Sequence, residues 1–192
     1  MKQLKGTIKF IADVPETELG ALEVICIQRS IKQGAFFIQA GQVPRKFGFV
    51  AKGLFRYVYI ADDGKEYTRG FMPEDYFISS YSAMTKGIES SFYVEALEDS
   101  EILEIDYLSW LKLQASHPCW DKFLLGILHQ MFASKEKRER ELLLLEAQER
   151  YKNYMEEFPK LKTRVSQRIV ASYLGITPES LSRIRKKMDD LP

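Results

Sequence analysis

The chain has 192 residues, 45% hydrophobic and 29% charged, with a formal net charge of +1; it can bury a core as one large domain or as a medium and a small one, and no global excess of charge points to a nucleic acid or a membrane. The opening residues lack the apolar run of a signal peptide, and nowhere do about 18 uncharged apolar residues follow one another as a spanning helix needs. Two cysteines, Cys26 and Cys119, stand far apart and outside any metal-ligand spacing, so a cytoplasmic protein without membrane contact and with ordinary buried thiols is expected.

From Ile31 to Ile105 short β-type runs alternate with turn chemistry: AFFI, AG, FGFVA, KG, LFRYVYI and ADDG. In LFRYVYI, period-two alternation sets Leu54, Arg56, Val58 and Ile60 against Phe55, Tyr57 and Tyr59. The ADDG turn predicts a hairpin, because Asp and Gly tolerate positive φ. VEALEDSEILEI closes the region with two strands around an EDS turn. Turns every 8 to 12 residues or so predict an antiparallel jelly roll or barrel, not βαβ units.

After this the pattern becomes helical. Asp106 is a plausible N-cap for YLSWLKL, and Ser116 a candidate cap for the next helix, with Pro118 in its first turn. Trp120, Leu124, Ile127 and Met131 are spaced 4, 3 and 4, an apolar stripe that fits either a helix packed on its own domain or a dimer seam. Phe123, Leu128 and Phe132 widen it beyond what a surface helix needs, which favours the seam. LLLLEAQERYKNYMEEF reads as a further helix stopped by Pro159.

The segment from Arg164 to Lys187 carries the functional signal. Counting from Gln167 as position 1, Ala171 falls at 5 and Gly175 at 9, with Val170, Leu174, Ile176, Leu181 and Ile184 at 4, 8, 10, 15 and 18. This is the helix-turn-helix pattern: two helices crossing steeply need a small residue where they approach and a residue tolerant of left-handed φ in the turn. Thr177 caps the second helix, Pro178 starts it, and Glu179 suits its positive end. Between Lys160 and Lys187 the net charge is +7, the local footprint expected of DNA contact. Glu179, Ser182 and Arg183 avoid the apolar face and are the base-reading candidates: arginine donates twice to guanine, glutamate accepts from cytosine. Arg164, Gln167, Arg168, Arg185 and Lys186 are the candidates for phosphate contact.

Enzyme chemistry finds no support. A jelly-roll metalloenzyme needs several histidines converging on a metal, and His117 and His129 lie outside the strands. No GxxxxGK loop or GxSxG elbow is present. The alternative to DNA binding is a ligand-sensing or protein-interaction module whose helix-turn-helix has lost that function.

Roll, long helix and helix-turn-helix, in this order, resemble the Crp–Fnr family of transcription regulators, most specifically in TPESLSRIRK, where Glu179, Ser182 and Arg183 match the family's Glu-x-x-Ser-Arg recognition helix. The resemblance implies an α+β chain with a jelly-roll sensor domain over 1–115, a dimerisation helix over 116–138 and a helix-turn-helix domain over 139–192. It implies a homodimer on a double-stranded DNA palindrome, with RNA polymerase a further candidate partner. The sequence departs from the family at the phosphate-binding cassette. Ile78–Ser79 and Ser90–Ser91 stand where cyclic-AMP binders carry Gly-Glu and Arg-Ser, so a cyclic phosphate would be buried without its cation. Ser79, Ser80, Tyr81, Ser90 and Ser91 are the residues expected to line an effector pocket, unless they are merely solvated hydroxyls. No cofactor is expected: Cys26 alone cannot hold an iron–sulfur cluster, and His117 and Cys119 are poorly placed for haem.

Overall fold

The structure, a computed structural model, describes residues 1–189; the last three residues of the expected C-terminal domain lie outside it. The chain opens with two helices, α1 (Lys2–Ile11) and α2 (Glu16–Ile25), for which the sequence pattern gave no expectation. They bury Leu4 with Ile8 and Leu19 with Leu22, spacings of four and three that put each pair on one face.

Eight strands follow: β1 (Cys26–Ile31), β2 (Phe36–Ile38), β3 (Lys46–Lys52), β4 (Phe55–Ile60), β5 (Glu66–Met72), β6 (Phe77–Ile78), β7 (Tyr93–Ala96) and β8 (Ser100–Asp106). The short helix α3 (Tyr81–Lys86) interrupts them between β6 and β7. They form two four-stranded sheets, ordered β1-β8-β3-β6 and β2-β7-β4-β5, with antiparallel pairing throughout. β1 begins at Cys26, earlier than the turn spacing indicates. The ADDG hairpin is as expected: Gly64 has φ +78° and Asp63 Oδ1 accepts from the Lys65 amide.

Three apolar clusters build the interior. Phe37, Val50, Phe55, Tyr57, Ile78, Val94 and Ile102 fill the space between the sheets. Phe49, Leu103 and Ile105, on the other side of the first sheet, pack under α1 and α2 and under α4 (Tyr107–Ser116) and the start of α5 (Cys119–Leu144). Leu54, Phe71 and Leu97 of the roll join Tyr151, Tyr154, Leu161, Tyr173, Leu174 and Leu181 in the third. Those partners belong to α6 (Ala147–Glu157), a 3₁₀ turn (Pro159–Thr163), α7 (Gln167–Leu174) and α8 (Pro178–Asp189). Each sheet is thus covered on its inner face and over part of its outer face, while the edge strand β1 stays exposed through its middle.

This corrects the simple two-faced expectation for LFRYVYI. Phe55, Arg56, Tyr57 and Val58 are all buried, and a register shift lies between Tyr57 and Val58. Arg56, only 3% exposed, is held by Glu95, Glu66 and Thr68 at 2.7, 2.8 and 3.2 Å. A cation is tolerated there because opposite charge and hydrogen bonds replace its water.

Asp106 caps α4 as expected, accepting from the Ser109 amide at 2.9 Å. Ser116 caps nothing: it ends α4 and donates to the Leu113 carbonyl, while Pro118 takes the N-cap position of α5. α5 continues unbroken through the charged run to Leu144, taking in most of LLLL, and a Glu146–Glu149 capping box starts α6. Among the described residues no helix is long and apolar enough to cross a membrane.

Candidate nucleic-acid interface and effector cleft

The helix-turn-helix is built as its spacing demands. Ser166 Oγ accepts from the Ile169 amide to start α7. Ala171 is fully buried at the crossing, and Gly175 turns the chain with φ +69°. Thr177 Oγ1 accepts from the Ser180 amide at 3.2 Å to start α8. Leu181 anchors α8 in the third cluster, leaving Glu179, Ser182, Arg183 and Lys186 exposed on its outer side. The amide of Glu179 itself and the Thr177 hydroxyl hold the Glu179 carboxyl below its usual range, so at neutral pH it is an acceptor only.

The phosphate candidates divide. Gln167, Arg185 and Lys186 line one shallow concavity with Ser182, where the start of α7 meets α8, and Arg168 is exposed on α7. Arg164 is elsewhere. Its guanidinium takes Glu74 in a bidentate grip at 2.8 and 3.0 Å and Glu98 in another at 2.6 and 3.2 Å. Both acids belong to the roll. The Glu98 and Glu74 hydrogen bonds push the arginine further up, and although burial works to raise the Glu74 carboxyl, Arg164 and the amides of Glu74 and Gly53 bring it below its usual range.

Two arginines outside the sequence candidates hold the end of α7 in place. Arg138 on α5 donates to the Tyr173 carbonyl and lies 3.9 Å over the Tyr173 ring; Arg150 on α6 donates to the Leu174 carbonyl at 3.0 Å. Together they satisfy carbonyls at the C-terminal end of α7, where cations are favoured. Arg138 stands in the charged run SKEKRERE, and Arg150 had no signal of its own.

Between the roll and α5 lies a narrow cleft, partly open to solvent, with a cavity volume of about 60 Å³. Of the five residues expected to line a pocket, Ser79 and Tyr81 do so. Ser80 is buried beside α3, Ser90 is buried with its hydroxyl bonded to the Phe92 carbonyl at 2.8 Å, and Ser91 is exposed. The other walls are mostly apolar: Phe47, Phe77, Met84 and Trp110 from the roll side, Leu124, Ile127 and Met131 from α5. Tyr57 completes them, its hydroxyl accepting from the Ser79 amide at 3.1 Å. No lysine or arginine is among the lining residues.

The stripe expected as a dimer seam therefore splits. Trp120 is fully buried within its own chain, donating Nε1–H to Glu18 at 2.9 Å and meeting Trp110 edge-on; it is no seam residue, because the first turn of α5 faces the roll. Leu124, Ile127 and Met131 face the cleft, and Leu125 and Phe132, at 54% and 62% exposure, present apolar surface to solvent. Cys26, half-buried, has its thiol pushed up to about 11 by burial.

Residues 28–117 match the cyclic nucleotide-binding domain, and no curated protein sequence matches the chain. Among solved structures, FixK2 from Bradyrhizobium japonicum superposes with a TM-score of 0.77 at 17% identity, covering 86% of this chain and 85% of its own. The c-di-GMP-responsive global regulator CLP from Xanthomonas campestris gives 0.74 at 16%, covering 91% and 92%. A regulator from Eubacterium rectale assigned to the Crp/Fnr family gives 0.73 at 13%, covering 92% and 84%. The chain has the Crp/Fnr fold. Within that Crp/Fnr framework the cyclic nucleotide-binding domain spans β1 to α4, almost the whole roll.

Proposed function

We propose that this chain is a transcription regulator that binds palindromic operator DNA as a homodimer and does not respond to cyclic AMP. Residues 1–115 act as sensor, 116–138 as dimerisation segment and 139–192 as DNA-binding domain. The observation that carries the reading is the outer side of α8, where Glu179, Ser182 and Arg183 stand clear of the core on a helix anchored from behind by Leu181. An α-helix fits the major groove, and these side chains supply the acceptor and the forked donor that distinguish base pairs there. Gln167, Arg168, Arg185 and Lys186 flank them as phosphate contacts.

Support for a homodimer comes from the exposed Leu125 and Phe132 and from Leu142, Leu143 and Leu144 at the far end of α5, an apolar edge that a second copy would cover. Support for independence from cyclic AMP comes from the cleft, whose lining offers a cyclic phosphate no cation. Its walls suit an uncharged, largely apolar effector. An activator would in addition touch RNA polymerase.

Selection from a random duplex library with the purified, ligand-free protein tests the reading, with Arg183→Ala as control. A palindrome enriched by the wild type and lost or blurred in the control is the expected result. Failure to enrich any sequence, with or without added cell extract, refutes DNA binding and leaves the protein-interaction alternative.

A further inference from the structure

We infer that Arg164 is a positioning residue for operator recognition: clasped by Glu74 and Glu98, it fixes the helix-turn-helix against the roll and so sets the half-site separation that the homodimer accepts. The inference rests on the DNA-binding reading above and adds to it the element that determines operator geometry.

The clasp joins three segments distant in sequence. Glu74 lies between β5 and β6, Glu98 in the turn between β7 and β8, and Arg164 two residues before the Ser166 cap of α7. Four nitrogen–oxygen contacts between 2.6 and 3.2 Å use the whole fork of the guanidinium, a geometry that lysine cannot copy. Both acids are themselves held. Glu74 Oε1 also accepts from the Gly53 amide at 3.0 Å, and the Glu98 carbonyl accepts from Ser100 Oγ at 2.7 Å. If Arg164 left for a DNA phosphate, two carboxylates would face each other without a cation. Its charge is therefore already spoken for.

A second tie lies farther along α7. Ser172 Oγ donates to the Glu66 carbonyl and accepts from the Thr68 amide, each at 2.8 Å, pinning α7 to β5. Arg138 and Arg150 hold the C-terminal carbonyls of the same helix to α5 and α6. α7 is thus tied to the roll at two points and to the long helix at its end, and α8 leaves it across a single glycine turn. Without the clasp, α7 would be held only from Ser172 onward, and its N-terminal half could turn about those ties. A 12-residue helix such as α8 is about 18 Å long, so a rotation of roughly 10° moves its far end by about 3 Å, close to the rise of about 3.4 Å per base pair along one strand.

The test uses the full-length protein and the palindrome selected by the wild type, rebuilt with half-site separation varied one base pair at a time. Wild type, Glu74→Gln/Glu98→Gln and Arg164→Ala are compared, and matching far-UV circular dichroism together with matching tryptophan fluorescence confirms that both halves of the variants are folded. Wild type is expected to favour one separation over its neighbours at least tenfold. Both variants should keep the same half-site sequence and the same salt dependence, yet discriminate between adjacent separations less than threefold. Unchanged separation profiles in folded variants overturn the inference while leaving the DNA-binding reading intact. It is equally overturned if Arg164→Ala alone weakens binding at every separation and reduces the salt slope by about one, the mark of a lost phosphate contact. A wild type that selects no palindrome overturns both the reading and the inference.

Discussion

Phe71→Ala tests whether the roll and the helix-turn-helix share one core. Phe71 is 1% exposed on β5, its ring 5.1, 5.8 and 6.0 Å from those of Tyr173, Phe158 and Tyr154. Truncating so buried an aromatic costs about 3–5 kcal/mol, the transfer and cavity terms together. Whole domains have only about 5–15 kcal/mol to lose. With a urea slope of about 2 kcal/mol/M, the midpoint should fall by about 1.5–2.5 M. Two probes separate the halves of the molecule. Both tryptophans, Trp110 and Trp120, belong to the cluster under α1 and α2, so their fluorescence follows the roll, whereas amide hydrogen exchange over α6, α7 and α8 follows the helices of the other half. Wild type should give coincident transitions by both probes; in Phe71→Ala the helical transition should move ahead of the fluorescence one. A midpoint shift below about 0.5 M, or separate transitions already in the wild type, would refute a shared core.

Arg183→Ala should weaken operator binding by about 1–3 kcal/mol and relax preference at one base position per half-site, read by competition with single-base variants of the operator. Gly53→Ala should destabilise by about 1–3 kcal/mol, seen as a lower Tm, because Gly53 has φ +110° and an added Cβ would lie 2.1 Å from Ser100 Oγ. Acid should loosen the Arg164 clasp. The folded Glu74 carboxyl lies below its ordinary value of 4.5, so its contribution is fully present above that value and is lost as pH falls through the depressed one. The difference in urea midpoint between wild type and Glu74→Gln should accordingly be larger at pH 7 than at pH 3. Phe132→Glu should shift sedimentation from dimer to monomer by placing a charge on exposed apolar surface of α5.

The elements with local causes could be read from the sequence. Gly64, Asp106, Ala171, Gly175 and Thr177 each act within a few residues of themselves, through a turn, a cap or a helix crossing, and each does in the structure what its chemistry required. What escaped notice was decided at long range. Arg164 looks like one more cation in a basic segment until the fold brings Glu74 and Glu98, 90 and 66 residues away, onto its guanidinium. Arg56 shares a face with Leu54, Val58 and Ile60 in the alternation, and nothing nearby announces that Glu66, Thr68 and Glu95 of neighbouring strands will close over its guanidinium. Trp120 shares a helical stripe with Met131, but the roll covers only one end of that stripe. In the cleft, the serines drew notice by analogy with a polar site, while the residues that shape it are apolar and resemble any core.

The aromatic cluster around Phe71 bears on how far this protein can be taken apart. A chain built of a roll, a long helix and a helix-turn-helix invites cutting at the long helix, to join halves taken from different chains. Here a cut after α5 would strip Tyr151, Tyr154, Leu161 and Tyr173 from the outer face of β5, baring Leu54, Phe71 and Leu97 on one fragment and the matching aromatics on the other. Both pieces would be prone to aggregate. A workable chimaera must carry the β4–β5 hairpin, Glu74 and Glu98 along with the helix-turn-helix they support, so the natural unit of exchange runs across the apparent domain boundary.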